Sequence, residues 1–195
     1  MSLSSLRPLL TLFAFFMLTV FGASLMAQSE VQTLPRADRI TTTSPVERKS
    51  PMNSASMRQG SNYARVVYSQ PVKRGRQLFG ELVPFDKVWR LGANEATELF
   101  TNVDLKVGDQ TLPAGLYSVY AIPTEGSWTI IINEALGEWG AYQYDEELDV
   151  LRLEVPTTTL DEPFEALTMY FDGGELVMAW GDTSVRLPTS FADAE

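Results

Sequence analysis

The chain has 195 residues, 45% of them hydrophobic, with 25 acidic against 15 basic side chains for a formal charge of −10, and it contains neither histidine nor cysteine. Lack of cysteine removes disulfides, thiolate nucleophiles and zinc–thiolate sites, and lack of histidine removes the usual general base and the commonest transition-metal ligand. Serine–histidine triads and zinc hydrolase sites are therefore excluded, acid–base chemistry falls to carboxylates, lysine or tyrosine, and the acidic balance argues against a nucleic-acid partner.

At the amino terminus, Arg7 precedes an uncharged, Leu- and Phe-rich run from Pro8 to Met26 that ends on small residues Gly22, Ala23 and Ser24 before Ala27. A charged start, an apolar stretch and a small-residue exit describe a secretory signal peptide over residues 1–27, cut after Ala27. The alternative is a retained anchor, because the run nearly reaches the ~20 residues that span a bilayer. The expectation is an exported chain, periplasmic or secreted, with no membrane span after cleavage. Residues 28–50 are polar, include Thr41-Thr42-Thr43-Ser44-Pro45, and show no apolar period, which predicts a flexible leader. One globular domain is expected over 51–188, with a short tail at 189–195.

Strand patterns dominate that domain. Ala64 to Ser69 is a short β-rich run, and Val103, Leu105 and Val107 alternate with Asp104 and Lys106. Gly108-Asp109-Gln110 and Leu112-Pro113-Ala114-Gly115 read as turns before a strand over Leu116 to Ile122. Trp128 to Asn133 is apolar on both faces and is expected to be central. Alternation resumes at Val150 to Val155, and Leu167–Phe171 and Leu176–Trp180 flank the hairpin signal Asp172-Gly173-Gly174-Glu175. Val185 and Leu187 close the last strand. Helix is scarce, with one turn expected at Glu134 to Trp139. The fold class is all-β, an antiparallel β-sandwich or jelly-roll-like barrel.

The string P-V-K-R-G-R-Q-L-F-G-E-L-V-P-F, followed by V-W-R-L-G-A-N-E-A-T, resembles the family called domain of unknown function 2911. The later L-P-A-G-L-Y-S, W-T-I-I-I-N and W-G-A-Y-Q-Y-D-E-E-L-D-V-L-R resemble it in the same order, over roughly residues 51 to 188. The resemblance implies an exported bacterial protein and brings no established reaction, ligand or catalytic residue. Phe85 stands where the pattern more often shows Tyr, so a hydroxyl is missing there.

The unusual residues fall into two segments between strands, Tyr68–Glu98 and Trp139–Asp149. In the first, Arg90 offers a planar fork, Gly92 permits close approach, and Asn94 and Glu95 add donors and acceptors beside Trp89. The alternative is structural: an Arg90–Glu95 or Arg90–Asp145 pair pinning a loop, with Trp89 in the core. In the second, Trp139, Tyr142 and Tyr144 offer flat apolar faces with polar rims, suited to a ligand or, alternatively, to plugging one end of the sandwich. Asp145, Glu146, Glu147 and Asp149 form an acidic run without the calcium-loop spacing, so a solvated loop is expected rather than a metal site, and no cofactor is expected. Lys73-Arg74-Gly75-Arg76 suits an anion or an exposed turn. The resulting expectation is a noncatalytic binding or envelope-associated module that takes a glycan or another envelope component on Arg76, Trp89, Arg90, Asn94, Glu95, Trp139, Tyr142, Tyr144 and Asp145. Its rival is a glycosidase-like hydrolase using Glu95 and Asp145, which needs the two carboxyls about 5–10 Å apart across a cleft.

Overall fold

The computed structural model describes residues 48–192. The expected signal peptide, the leader up to residue 47 and the end of the tail lie outside the described residues. Among the described residues nine strands follow in chain order: β1 (Met52–Gln59), β2 (Asn62–Ser69), β3 (Thr97–Thr101), β4 (Leu105–Val107), β5 (Gln110–Leu112), β6 (Gly115–Pro123), β7 (Ser127–Asn133), β8 (Asp149–Asp172) and β9 (Glu175–Phe191). They form one antiparallel sheet in the order β1-β2-β3-β6-β7-β8-β9-β4-β5. The all-β antiparallel expectation is borne out, although the sheet does not close into a barrel.

The 24-residue β8 organises the sheet. Its first part, to Pro156, pairs with β7, and from Thr157 onward it pairs with β9, through register shifts between Thr159 and Phe164 and between Phe164 and Thr168. On the far side of its second half, the segment after β2 lies alongside: Lys73 donates to the Glu165 carbonyl at 2.7 Å and Leu167 to the Pro71 carbonyl at 2.9 Å. The Tyr68 hydroxyl accepts from the Met169 amide at 3.0 Å. The sheet is thus folded back on itself around one hydrophobic core to which all nine strands contribute. Alternation sets the facing: Tyr117, Val119 and Ala121 of β6 and Trp128, Ile130 and Ile132 of β7 point into that core. Each such large side chain contributes roughly 1.5–3 kcal/mol by leaving water.

The central placement of Trp128–Asn133 and the Asp172–Glu175 hairpin are observed as expected. Elsewhere the elements differ. The strand expected over Asn102–Val107 is confined to Leu105–Val107, and part of the expected turn region, Gln110–Leu112, is a strand paired with it. The segments expected at Val150–Val155 and Leu167–Phe171 are parts of one strand. Among the described residues the one 3-10 turn lies at Glu146–Leu148 rather than at 134–139, because the Asp145 side chain caps it by accepting from the Glu147 amide. The last strand runs to Phe191, three residues past the expected domain end.

Candidate functional site

Between β2 and β3, the chain runs along β6 before turning away. Trp89 and Ala121 exchange both backbone hydrogen bonds, at 2.7 and 2.8 Å. This brief pairing imposes strand alternation on the loop. Trp89 enters the core, only 8% exposed, where it stacks on Trp180 at 6.0 Å and meets Trp128 and Phe79 edge-on. Its neighbour Val88 joins a second, smaller cluster on the outer face of β6 and β7, built on Ala96, Tyr120 and Ile131 and flanked by Ala141 and Tyr144.

Beyond Trp89 the loop turns tightly. Leu91 and Asn94 have φ of 52° and 57°, a region that costs a bulky L-residue energy and so needs firm support. Several bonds supply it: Thr97 donates its hydroxyl to the Leu91 carbonyl at 2.8 Å and its amide to Arg90, Ala93 donates to Ser69, and the Trp89 indole donates to the Gly92 carbonyl. A Cβ on Gly92 would lie 3.0 Å from the Ser69 carbonyl oxygen, so only glycine fits without a shift.

The second special segment docks directly on this turn. Ala96 donates to the Glu138 carbonyl at 2.9 Å, Gly140 donates to the Asn94 carbonyl at 2.9 Å, and Glu95 and Trp139 form an isolated antiparallel bridge. Gly140, at φ 77°, lets the ring of Tyr142 and the guanidinium of Arg90 come close; a Cβ there would lie 2.8 Å from Tyr142 and 3.7 Å from Arg90 Nη1. The two segments singled out in the sequence are therefore neighbours along one seam.

The expected site residues divide at that seam. Arg90, Asn94, Glu95, Trp139 and Tyr142 lie along it. Trp139 is 59% and Tyr142 85% exposed. Trp89 is withdrawn into the core, and Arg76 belongs to another hollow, described below. Tyr144 is half-buried against Tyr120, ring centroids 5.1 Å apart; its hydroxyl donates to Asp149 Oδ2 and accepts from Arg152, both at 2.6 Å. Burial first, and the bond to Asp149 second, push its phenol up to about 12. Asp145 spends its side chain on the cap, while its carbonyl accepts from buried Asn133, which also donates to Asp149. The second segment is thus clamped at its far end by Asn133, Asp149 and Arg152.

Neither partner expected for Arg90 pairs with it. Glu95 is gripped by Arg48, in two bonds of 2.6 Å, with the Ser69 hydroxyl at 3.4 Å. The hydrogen bonds from Arg48 hold the Glu95 carboxyl below its ordinary range, against the opposing effect of burial. Asn94 adds a bond to the Ser50 carbonyl, so the start of the described chain is fastened beside the seam.

Two residues missed at the sequence level complete the arrangement: Tyr120 and Glu138. Arg90 Nε, Glu138 Oε2 and Tyr120 Oη are buried, and none has a hydrogen-bond partner among the described residues. Burial and the nearby Glu138 charge both raise the Tyr120 phenol. Ser118 lies close to it, but the Ser118 hydroxyl is directed to the Ala135 carbonyl at 2.5 Å. An available signal was the outward register of β6, where Ser118 and Tyr120 share a face that the loops then cover. Among the described residues no three carboxylates gather in a metal-holding group, and no helix is long and apolar enough to cross a membrane.

Residues 50–189 match the family model described as "Protein of unknown function (DUF2911)". No curated protein and no solved structure matches the chain.

Proposed function

The chain belongs to this DUF2911 family of unknown function, and from that premise we propose that it is an exported, noncatalytic binding module whose ligand lies on the seam between residues 89–96 and 138–144. One observation carries the proposal: under a seam flanked by exposed Trp139 and Tyr142, a guanidinium donor, a carboxylate acceptor and a phenol are buried without partners. A buried polar atom left unpaired costs about 1–3 kcal/mol, which a ligand would recover only by opening the seam, since all three atoms are closed to solvent. Donors and acceptors mixed beside flat aromatic faces match the hydroxyls and apolar ring faces of a glycan or a similar polyhydroxylated envelope component.

The carboxylate-hydrolase alternative has less support. A general acid needs a carboxyl raised toward neutrality, whereas Glu95 is held ionised by Arg48 and Asp145 caps a turn. The test is a binding screen of the purified chain against soluble envelope oligosaccharides, with Trp139→Ala, Tyr142→Ala and Arg90→Gln alongside. A saturable ligand whose affinity drops about tenfold or more in Trp139→Ala, at unchanged unfolding midpoint, supports the module. Absence of any ligand, or a ligand indifferent to all three changes, overturns it. Glycoside turnover that Glu95→Gln abolishes would establish the hydrolase instead.

A further inference from the structure

A hollow of about 530 Å3 opens elsewhere on the domain, lined by Lys73, Arg76, Gln77, Phe79, Asp182 and Thr183 among others, and shares no residue with the seam. Its volume lies within the range of small-molecule sites. One wall is the Lys73-Arg74-Gly75-Arg76 turn, which is firmly built. Arg74 and Gly75 take φ of 51° and 70°, and the Arg74 amide donates to the Glu165 carboxylate at 2.8 Å. Arg76 donates from Nε to the Lys73 carbonyl at 2.9 Å and from Nη2 to the Val72 carbonyl at 2.6 Å, which orients its guanidinium without neutralising it. The facing wall comes from β9, where the Thr183 hydroxyl donates to Asp182. Half-buried Phe79 lies between, in contact with Trp89, Trp128 and Trp180.

The charge pattern is what distinguishes this hollow. The ion pairs among the described residues involve Arg48, Arg152 and Arg186; among those residues no carboxylate lies within 4.0 Å of Lys73 or Arg76. In a chain of formal charge −10, two uncommitted cations face the same space beside an aromatic ring. We infer that the hollow is a binding site for a small organic anion, with its carboxylate or phosphate held by Lys73 and Arg76 and its apolar body against Phe79. The guanidinium already oriented by two carbonyls gives up little freedom on binding. Asp182 opposes the ligand's charge and keeps the affinity modest.

The full chain, titrated with phenyl phosphate, benzoate, inorganic phosphate and neutral benzyl alcohol and followed by tryptophan fluorescence and calorimetry, tests this site. Phenyl phosphate or benzoate is expected to bind saturably in the millimolar range or better, inorganic phosphate more weakly, and benzyl alcohol not at all. The first two probes separate a phosphate from a carboxylate preference, and either outcome supports the site. Lys73→Gln is expected to weaken binding about threefold and Asp182→Asn to strengthen it by a similar factor, the scale of an exposed charge pair. Both side chains lie outside the core, so unfolding midpoints should not move, and Arg90→Gln at the seam should leave the affinity unchanged. No saturable anion binding by either the native chain or Asp182→Asn overturns the inference. So does an affinity indifferent to both charge changes.

Discussion

The two connections that carry the unusual residues meet along one seam, yet they treat their aromatic side chains in opposite ways. Phe79 and Trp89 of the first are drawn into the core, where they meet Trp128 and Trp180 at centroid distances of 5.0 to 6.4 Å. Trp139 and Tyr142 of the second remain outside. The difference comes from the backbone. The first connection pairs with β6 at Ala121 and inherits strand alternation, which sends every second side chain inward. The second pairs with the first connection, at Glu95, so Trp139 and Tyr142 lie off the sheet, and only Tyr144 reaches a hydrophobic cluster, the smaller one around Tyr120. An aromatic residue in a loop is a core residue or a surface residue according to what its backbone bonds to.

Four substitutions break or sharpen this contrast. The largest effect is expected from comparing Trp89→Ala with Trp139→Ala in urea unfolding. The first should lose about 3–5 kcal/mol by emptying the core stack. The second should stay within about 0.5 kcal/mol, as exposed positions usually do. Equal losses would mean that Trp139 is structural and the contrast is false. Next comes Asn133→Ala. Asn133 is buried, donates to the Asp145 carbonyl and to Asp149, and accepts from the Ala135 amide. Its loss leaves these groups unpaired, about 1–3 kcal/mol, and should loosen the second connection before the first. Amide exchange that rises over 134–148 while 89–97 stays protected would show this.

The smallest effect is one of pH. Tyr144 ionises near 10 when unfolded and about 12 in the fold, so the folded state disfavours the phenolate. Its contribution is therefore complete below pH 10, declines between pH 10 and 12 and is gone above. Tyr144→Phe should flatten that part of the base-unfolding profile, leaving whatever Tyr68 and Tyr120, also raised by burial, contribute. An unchanged slope between pH 10 and 12 would mean that Tyr144 is not clamped as described.

Legibility in the sequence followed burial. Strands β2, β6 and β7 and the Asp172–Glu175 hairpin were readable because their residues are largely apolar and buried, in β6 and β7 on both faces, and glycine marks the turns. β1, with the sequence MNSASMRQ, was not, because this edge strand is exposed along most of its length and carries no apolar period. The middle of β8, PTTTLDEPFEA, reads as a loop: two prolines and three acids interrupt alternation where register shifts bend the strand. At the candidate site, proximity of the two segments was legible as a concentration of special residues. The partition of Trp89 from Trp139 was not, because both stand next to glycine-containing turns and only the bridge to Ala121 separates them. Arg48 and Glu138 were invisible for a related reason: each acts through a contact far away in sequence, and neither sits in a local pattern.

β8 has one further consequence. Near its beginning, Asp149 and Arg152 secure Tyr144 and with it the outer connection; sixteen residues after Asp149, Glu165 anchors the Lys73–Arg74 turn. Both proposed recognition surfaces thus hang from a single beam, with the irregular stretch between Thr159 and Thr168 as its flexure. An insertion or deletion at that flexure would misalign the turn against its anchor while leaving the Tyr144 clamp in place, so the two surfaces can be uncoupled by lengthening one strand.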